Sequence, residues 1–248
     1  MLMNNQTIKY FGNFKFCFFT RNGGVSQKYF RSLNCAYNKE ENPENVKENR
    51  EIIRQKFCKK KKIILLNQTH SNKVIFIDNK IPRIISADGV ITNRNDLCLG
   101  ILTADCAPII IIGKKNFGIV HAGWRGAFTN IIKNAVKVFI SKGEINTDIN
   151  FFIGPHIKKE SFEVKVDFVS KLLEQNINFK KFITKKNNKY FFDFSFFLKK
   201  KILDLGISKI SISRFDTFRN PKKFFSYRYY SKKGIINCGR QISLVCSK

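Results

Sequence analysis

The residues with the clearest capacity for chemistry are two histidines and one cysteine, each at the end of an apolar stretch. They are His70 in QTH, Cys106 in TADC and His121 in VHAGW. Imidazole and thiolate are donors that zinc prefers, and the wide gaps between the three suit a catalytic site assembled from separate strands rather than a zinc finger. Three protein ligands leave a fourth position open, where zinc lowers the pKa of a water molecule to about 7.

The same three residues allow two other interpretations. Cys106 could be a thiolate nucleophile with His70 or His121 as its general base. All three could also be ordinary structural residues, because an isolated cysteine usually packs as a small hydrophobe. Spacing in the sequence does not separate these alternatives.

The segments that must position these residues alternate between strand-like and helix-like patterns, which predicts one α/β domain over residues 1–248. His70 is predicted on a loop between strands at 63–66 and 74–77. Cys106 and His121 are predicted at the ends of neighbouring buried strands. His70 is therefore placed where catalytic residues usually lie.

Other elements carry local start and stop signals. Asn42 before Pro43 and Asp193 before an aromatic run predict two capped helices. One continuous helix is predicted over 128–141, and a strand is predicted over 224–229.

Composition limits the function classes. The chain has 46 Lys and Arg against 18 Asp and Glu, a formal net charge of +28. Because the lysine runs are spread over the whole length, compositional drift is favoured over a nucleic-acid surface, although a positive field would attract anionic substrates.

The seven cysteines form no C-x-x-C pair, so a disulfide framework is not expected. Apolar runs are too short for a leader or a membrane span, and we expect a cytoplasmic protein.

An ordered set of sequence motifs indicates the function more specifically than composition does. From about Thr20 to Arg240 the chain contains TRNGGVS, NQTHSNKV, ADGVIT, LTADCAP, HAGWRG, IGP-x-I followed by FEV, and FFSYR followed by GR. In this order they resemble the family once described as multicopper polyphenol oxidases or laccases. That family includes the bacterial peptidoglycan-editing factors and the purine nucleoside phosphorylases related to mammalian FAMIN.

The resemblance implies a single-domain α/β/β/α sandwich of mixed sheets with one zinc per chain, held by His70, Cys106 and His121. It also implies phosphorolysis of adenosine, inosine, guanosine and S-methyl-5′-thioadenosine, together with deamination of adenosine. Copper is disfavoured, because a multicopper cluster needs far more histidines than the three in this chain.

Further site residues are expected from the same motifs. Asp105 and Glu163 are the candidates for proton transfer, although in an extended segment the side chain of Asp105 would lie on the face opposite Cys106. Arginine suits phosphate because of its forked donors. The arginines within the motifs are Arg21, Arg125, Arg228 and Arg240, of which the first three are the candidates for substrate or phosphate binding.

Several positions depart from the family pattern. His156 follows IGP where relatives usually carry a small residue, and we expect an exposed loop histidine there. Lys158-Lys159 replaces a Gly-Pro, Asp216 stands where a cysteine is usual, and Tyr229 stands where a second arginine is common. The change at Asp216 casts doubt on any role of that family cysteine here.

We therefore predict a monomeric, zinc-dependent enzyme acting on purine nucleosides and phosphate, with no nucleic-acid or membrane partner. The alternative within the enzymes is peptidoglycan editing, which acts on misincorporated amino acids in cell-wall precursors. The alternative from another class is a basic nucleic-acid-binding protein.

Overall fold

The computed structural model describes residues 7–248. Residues 1–6, which belong to the predicted domain over 1–248, lie outside the described residues. The strands, in chain order, are β1 (Lys9–Phe11), β2 (Phe14–Phe18), β3 (Lys62–Leu65), β4 (Val74–Ile77), β5 (Gly89–Thr92), β6 (Leu97–Thr103), β7 (Ala107–Ile112), β8 (Phe117–Ala122), β9 (Asn150–Ile153), β10 (Glu163–Val164), β11 (Ile183–Lys186), β12 (Lys189–Phe192), β13 (Ile210–Ile212) and β14 (Gln241–Ser247). The α-helices are α1 (Pro43–Phe57), α2 (Trp124–Phe128), α3 (Ile131–Ser141), α4 (Val166–Gln175), α5 (Phe194–Leu203) and α6 (Tyr227–Ser231).

The strands form two large mixed sheets and one small sheet. The five-stranded sheet has the order β1-β2-β14-β6-β3, and the six-stranded sheet has the order β13-β9-β7-β8-β5-β4. Both sheets are mixed: in the first, β6 is parallel to β3 and antiparallel to β14, and in the second, β5 is parallel to β4 and antiparallel to β8. A three-stranded sheet, β10-β12-β11, lies apart from them.

The central strands are apolar at every position because successive side chains point to opposite faces of the sheet and both faces are covered. Ile110 and Ile112 of β7 pack into the core shared with the five-stranded sheet, whereas Ile109 and Ile111 pack against helices on the other side. A strand covered on both faces has no polar face to present. The two sheets therefore lie face to face with a buried layer between them.

Helices cover the outer faces and complete the sandwich. Ile53 and Phe57 of α1 pack on the five-stranded sheet, and α3 and α5 pack on the six-stranded sheet. Helix α1 begins as predicted, since the side chain of Asn42 accepts a hydrogen bond from Glu44 N at 3.0 Å and Pro43 follows it. The predicted α/β/β/α sandwich of mixed sheets is confirmed.

Two predicted elements are wrong. The single helix over 128–141 is two helices, α2 and α3, because Asn130 adopts a left-handed conformation with φ of 70°. The predicted strand over 224–229 is a loop leading into α6, because the hydroxyl of Ser226 accepts a hydrogen bond from Tyr229 N at 3.1 Å and starts that helix. None of the described helices is long and apolar enough to cross a membrane.

Candidate metal centre

Two strand ends and the loop between β3 and β4 bring Cys106, His121 and His70 together at one end of the six-stranded sheet. Cys106 directly precedes β7, and His121 lies near the end of β8, opposite Pro108 in the antiparallel register. The donor atoms of the three residues lie within 4.8 Å of one another. His121 is buried, Cys106 is half-buried and His70 is exposed, so the group is accessible from one side.

The separation of the donors fits a metal ion. Cys106 Sγ and His70 Nε2 are 3.8 Å apart. A tetrahedral zinc with a Zn–S bond of about 2.3 Å and a Zn–N bond of about 2.0 Å places sulfur and nitrogen about 3.5 Å apart, so this pair of donors needs only a small adjustment. The group can therefore hold one metal ion with three protein ligands.

Asp88 supports this group without contributing a donor to it. One carboxylate oxygen contacts His121 Nδ1 at 2.8 Å and accepts a hydrogen bond from His70 N at 3.0 Å. The other accepts bonds from the backbone and the hydroxyl of Ser71, both at 2.7 Å. Burial alone would raise the pKa of Asp88, but the hydrogen bonds from His121 and Ser71 hold it below its ordinary value. Such a carboxylate–histidine contact leaves Nε2 of His121 for a metal.

Close packing fixes His70 from the other side. Its backbone has a φ of 59°, and the loop lies against Gly123, the residue before α2. A Cβ at Gly123 would lie 2.7 Å from Cδ2 of His70 and 3.4 Å from Sγ of Cys106. Only glycine permits this approach, which explains the glycine in HAGW.

The electrostatics of the group favour a thiolate. Burial would raise the pKa of Cys106, but the charge of His121 and hydrogen bonds from both histidines lower it to about 6. Burial would lower the pKa of His121, but Cys106 and Asp88 raise it to about 9. A thiolate is the form that binds metal and also the form that acts as a nucleophile. The third donor, His70, is required by a metal site and not by a cysteine–histidine nucleophile.

A cavity of about 630 Å³ opens beside His70. Trp124 and Phe128 give it an aromatic wall, and its charged lining residues are Arg125, Lys171 and Glu174. The guanidinium of Arg125 lies 4.6 Å from the centre of the Trp124 ring. No carboxylate forms an ion pair with Arg125 within residues 7–248, so its charge is available to a ligand.

The two acidic residues expected from the motifs, Asp105 and Glu163, lie outside the cavity beside His70. Asp105 is buried with a φ of 88°, and its carboxylate accepts bonds from Thr217 Oγ1 at 2.6 Å and Arg228 N at 2.7 Å. Burial raises its pKa. Glu163 is paired with Lys189 at 3.1 Å and Lys232 at 3.8 Å. Neither lines the cavity beside His70.

The arginines expected to bind phosphate are also dispersed. Of the three candidates only Arg125 lines the cavity. Arg228 donates to Glu163 O at 2.8 Å. Arg21 donates to Arg31 O at 2.7 Å and Pro221 O at 2.8 Å, and it lines a different cleft.

His156 is fully buried, so the prediction of an exposed loop histidine is wrong. Its Nδ1 donates to Gly154 O at 2.7 Å, and its Nε2 lies 2.8 Å from Ser195 Oγ and 3.1 Å from Lys158 Nζ. Asp216, another departure from the family pattern, forms a β-bridge with His156. The departures at 156, 158 and 216 thus form one buried polar cluster.

Sequence reasoning missed Asp88, Lys171 and Glu174. Asp88 lies within ADGVIT, a stretch that was recognised as a motif without a role for its carboxylate. Lys171 and Glu174 lie on α4, and only the packing of that helix beside α2 brings them to the cavity.

Comparison with known proteins places this geometry in a family. The family described as multi-copper polyphenol oxidoreductase laccase matches residues 15–248. The chain belongs to this laccase family. One similar protein is the Rickettsia conorii protein named purine nucleoside phosphorylase RC0672, which is 35% identical over 75% of this chain and 79% of its own length. Another is the Rickettsia prowazekii protein named purine nucleoside phosphorylase RP494, which is 37% identical over 62% of this chain. The match with RP494 spans 65% of that relative's length.

Solved structures agree with the laccase-family fold. The crystal structure of Neisseria meningitidis protein NMB0706 superimposes with a TM-score of 0.88 at 25% identity, covering 99% of this chain and 100% of that one. The family description itself fits the site poorly. The chain has three histidines, and one of them, His156, is occupied in the buried cluster, which leaves two for metal binding.

Proposed function

We propose that this protein is a zinc-dependent purine nucleoside phosphorylase that also deaminates adenosine, with the metal held by His70, Cys106 and His121. The observation that carries the proposal is the grouping of the three donors, one of which, His70, lines a cavity that also contains two aromatic residues and two cations. The purine nucleoside phosphorylase names of similar proteins support the same reaction class. The substrates proposed are adenosine, inosine, guanosine and S-methyl-5′-thioadenosine.

The cavity supplies the two kinds of recognition that phosphorolysis needs. Trp124 and Phe128 line the cavity and offer apolar aromatic surface to a purine base. Arg125 and Lys171 offer positive charge for phosphate, and the forked donors of arginine suit its oxygens. A phosphate held here could attack C1′ of the ribose while the purine leaves.

Proton transfer to the leaving purine requires an acidic group. We propose Glu174, the carboxylate that lines the cavity, ahead of Asp105 and Glu163. The carboxylate of Asp105 accepts two short hydrogen bonds, and Glu163 is bound by two lysines, so both are already occupied.

Zinc is proposed over copper on the chemistry of the donors. Two imidazoles and one thiolate with an open position match catalytic zinc sites, where the metal polarises a bound substrate or lowers the pKa of water. A multicopper cluster would need many more histidines. One zinc per chain and a single catalytic domain are therefore proposed.

The decisive experiment follows products from a metal-analysed preparation. Adenosine is incubated with and without phosphate, and the products are separated by chromatography. Adenine and ribose 1-phosphate, formed only with phosphate, support phosphorolysis, and inosine supports deamination. If none of the four nucleosides is converted while one zinc per chain is bound, the purine proposal is wrong and cell-wall precursors become the substrates to test.

The role of the metal donors is tested with matched cysteine variants. Cys106→Ser should lose bound zinc and at least 100-fold in kcat, because a hydroxyl is a much weaker zinc ligand than a thiolate. Cys238→Ser is the control, since Cys238 is a buried cysteine outside the metal group and its sulfur accepts a hydrogen bond from Arg240 that a serine hydroxyl can replace. Equal activity of the two variants would contradict the metal site.

A further inference from the structure

A cleft larger than the metal-centre cavity lies outside it and shares no lining residue with it. It has a volume of about 1230 Å³ and opens beside the ends of β2, β9 and β13. We name it the basic cleft after the seven cations that line it: Lys9, Arg21, Lys28, Arg31, Arg214, Lys222 and Lys223. Neither the metal nor the proposed reaction uses it.

The charge of the basic cleft exceeds what composition explains. The chain-wide ratio of 46 cations to 18 acids would place between two and three carboxylates among seven cations. Within residues 7–248 no Asp or Glu is among the side chains that line it. In a concave site with protein walls, uncompensated charge of one sign raises the local concentration of oppositely charged ligands.

Arg21 holds the two rims of the cleft together. Its Nε donates to Arg31 O at 2.7 Å, and its guanidinium also donates to Pro221 O at 2.8 Å. Its backbone N donates to Lys223 O at 2.8 Å. The like-charged rims, one containing Lys28 and the other Lys222, are therefore fixed near each other despite their repulsion.

Arg21 is itself an unneutralised charge. Its exposed fraction is only 7%, and within the described part of the chain it forms no ion pair with a carboxylate. Burying a guanidinium without a counter-charge is costly. An anion in the cleft would supply that counter-charge, and preorganised rims would bind it with little loss of conformational freedom.

Aromatic rings form the other part of the lining. Phe215 and Phe224 pack with ring centres 5.7 Å apart, and the ammonium of Lys223 lies 5.2 Å from the centre of the Phe215 ring. Tyr230 lies on the same cleft, 5.6 Å from the guanidinium carbon of Arg21. Aromatic faces beside cations are the combination that binds a nucleobase together with its phosphates.

We propose that the basic cleft binds a nucleotide that carries a polyphosphate, with the phosphates between the two cationic rims and the base against Phe215 and Tyr230. The volume exceeds what a nucleoside fills and lies above the range of about 300–1,000 Å³ that is usual for small-molecule sites. Seven cations also exceed the charge of a single phosphate. A nucleoside di- or triphosphate comes closer to this size and charge than a nucleoside or a single phosphate does.

The test is calorimetric titration of the zinc-loaded protein, in buffer of physiological ionic strength, with ATP, inorganic tripolyphosphate and single-stranded oligonucleotides of increasing length. The variant is Lys222→Gln with Lys223→Gln, which removes two rim charges. The matched control is Lys59→Gln with Lys60→Gln, which makes the same change of charge at exposed positions outside the cleft. Nucleoside turnover is measured in both to verify folding.

We expect one ATP per chain, binding that is at least tenfold weaker in the Lys222/Lys223 variant, and binding within twofold of the parent in the control. Tripolyphosphate should bind at least fivefold more weakly than ATP because it lacks the base. No ATP binding at millimolar concentration, or equal weakening in both variants, would overturn the proposal. So would oligonucleotide affinity that rises with length and falls steeply with salt, because that is the behaviour of a nucleic-acid track.

Discussion

Asp88 connects the two histidines of the metal centre although none of its oxygens is among the three donors. It accepts hydrogen bonds from the backbone of Thr69, His70 and Ser71 and contacts the imidazole of His121. A single buried carboxylate thus sets both the position of the exposed histidine and the tautomer of the buried one. This makes Asp88 a positioning residue rather than a catalytic one.

Asp88→Asn should lower zinc affinity by about 10- to 100-fold, the usual cost of losing a carboxylate that orients a metal-bound histidine. An amide has one acceptor oxygen where the carboxylate has two, so some of the N–H donors of the His70 loop lose their partner. Affinity is measured by competition with a chromophoric chelator. Asp96→Asn, a change of the same type at an exposed carboxylate, is the control, and equal zinc affinity in the two variants would rule out the positioning role.

The contact between α2 and the His70 loop is the element-scale feature on which the site depends. Gly123 and Gly126 both lie under this loop, and a Cβ at Gly126 would lie 2.6 Å from Ser71 O. The helix can approach only because these two positions lack side chains. The loop is thereby held between Asp88 on one side and α2 on the other.

Gly123→Ala should displace the His70 ring and weaken zinc binding at least tenfold while the fold persists. The backbone φ of −78° is ordinary for alanine, so the effect comes from the 2.7 Å approach to His70 and not from backbone strain. The absorption spectrum of the cobalt-substituted protein reports the loss of one imidazole ligand. Gly143→Ala, at a φ of 84° with open space around it, should cost about 1 kcal/mol of stability and leave the spectrum unchanged. An unchanged spectrum in both variants would contradict the packing argument.

Local signals predicted most elements, and the failures have identifiable causes. Asn42 and Asp193 cap helices as expected, because an N-cap depends on neighbouring residues alone. The apolar spacing predicts one helix over 128–141, but it does not register the left-handed backbone at Asn130, although asparagine adopts that conformation more readily than most residues. The predicted strand over 224–229 is wrong because the Ser226 cap starts a helix there.

The sequence predicts the positions of the three candidate donors from the strands around them, with Cys106 and His121 at strand ends and His70 on the loop between β3 and β4. The cavity, in contrast, depends on tertiary packing of α4 beside α2, which periodicity does not reveal. The burial of His156 has the same origin. Its imidazole meets Ser195 of α5, a residue 39 positions away, and no local pattern specifies that contact.

At the scale of the whole molecule, the distribution of titratable groups couples folding to pH. Most of the 46 cations are exposed, but His156 is buried with Lys158 as its nearest charge. Burial removes the hydration that an imidazolium needs and Lys158 repels it, so the pKa of His156 is lowered to about 3. Burial also lowers the pKa of Lys158, to about 8, and the nearby charge of Asp216 opposes that shift.

The pKa of His156 predicts acid sensitivity of the folded state. Between about pH 6.5 and pH 3 the unfolded chain binds a proton that the folded protein excludes, so the free energy of unfolding falls as the pH decreases through this window. At pH 4.5 the loss relative to pH 7 should be on the order of 3 kcal/mol from this residue. Urea unfolding in the presence of a chelator, which removes the contribution of metal binding, measures it. His156→Gln should remove that part of the slope, whereas His70→Gln should keep it, and parallel slopes in all three proteins would show that the proton is not excluded.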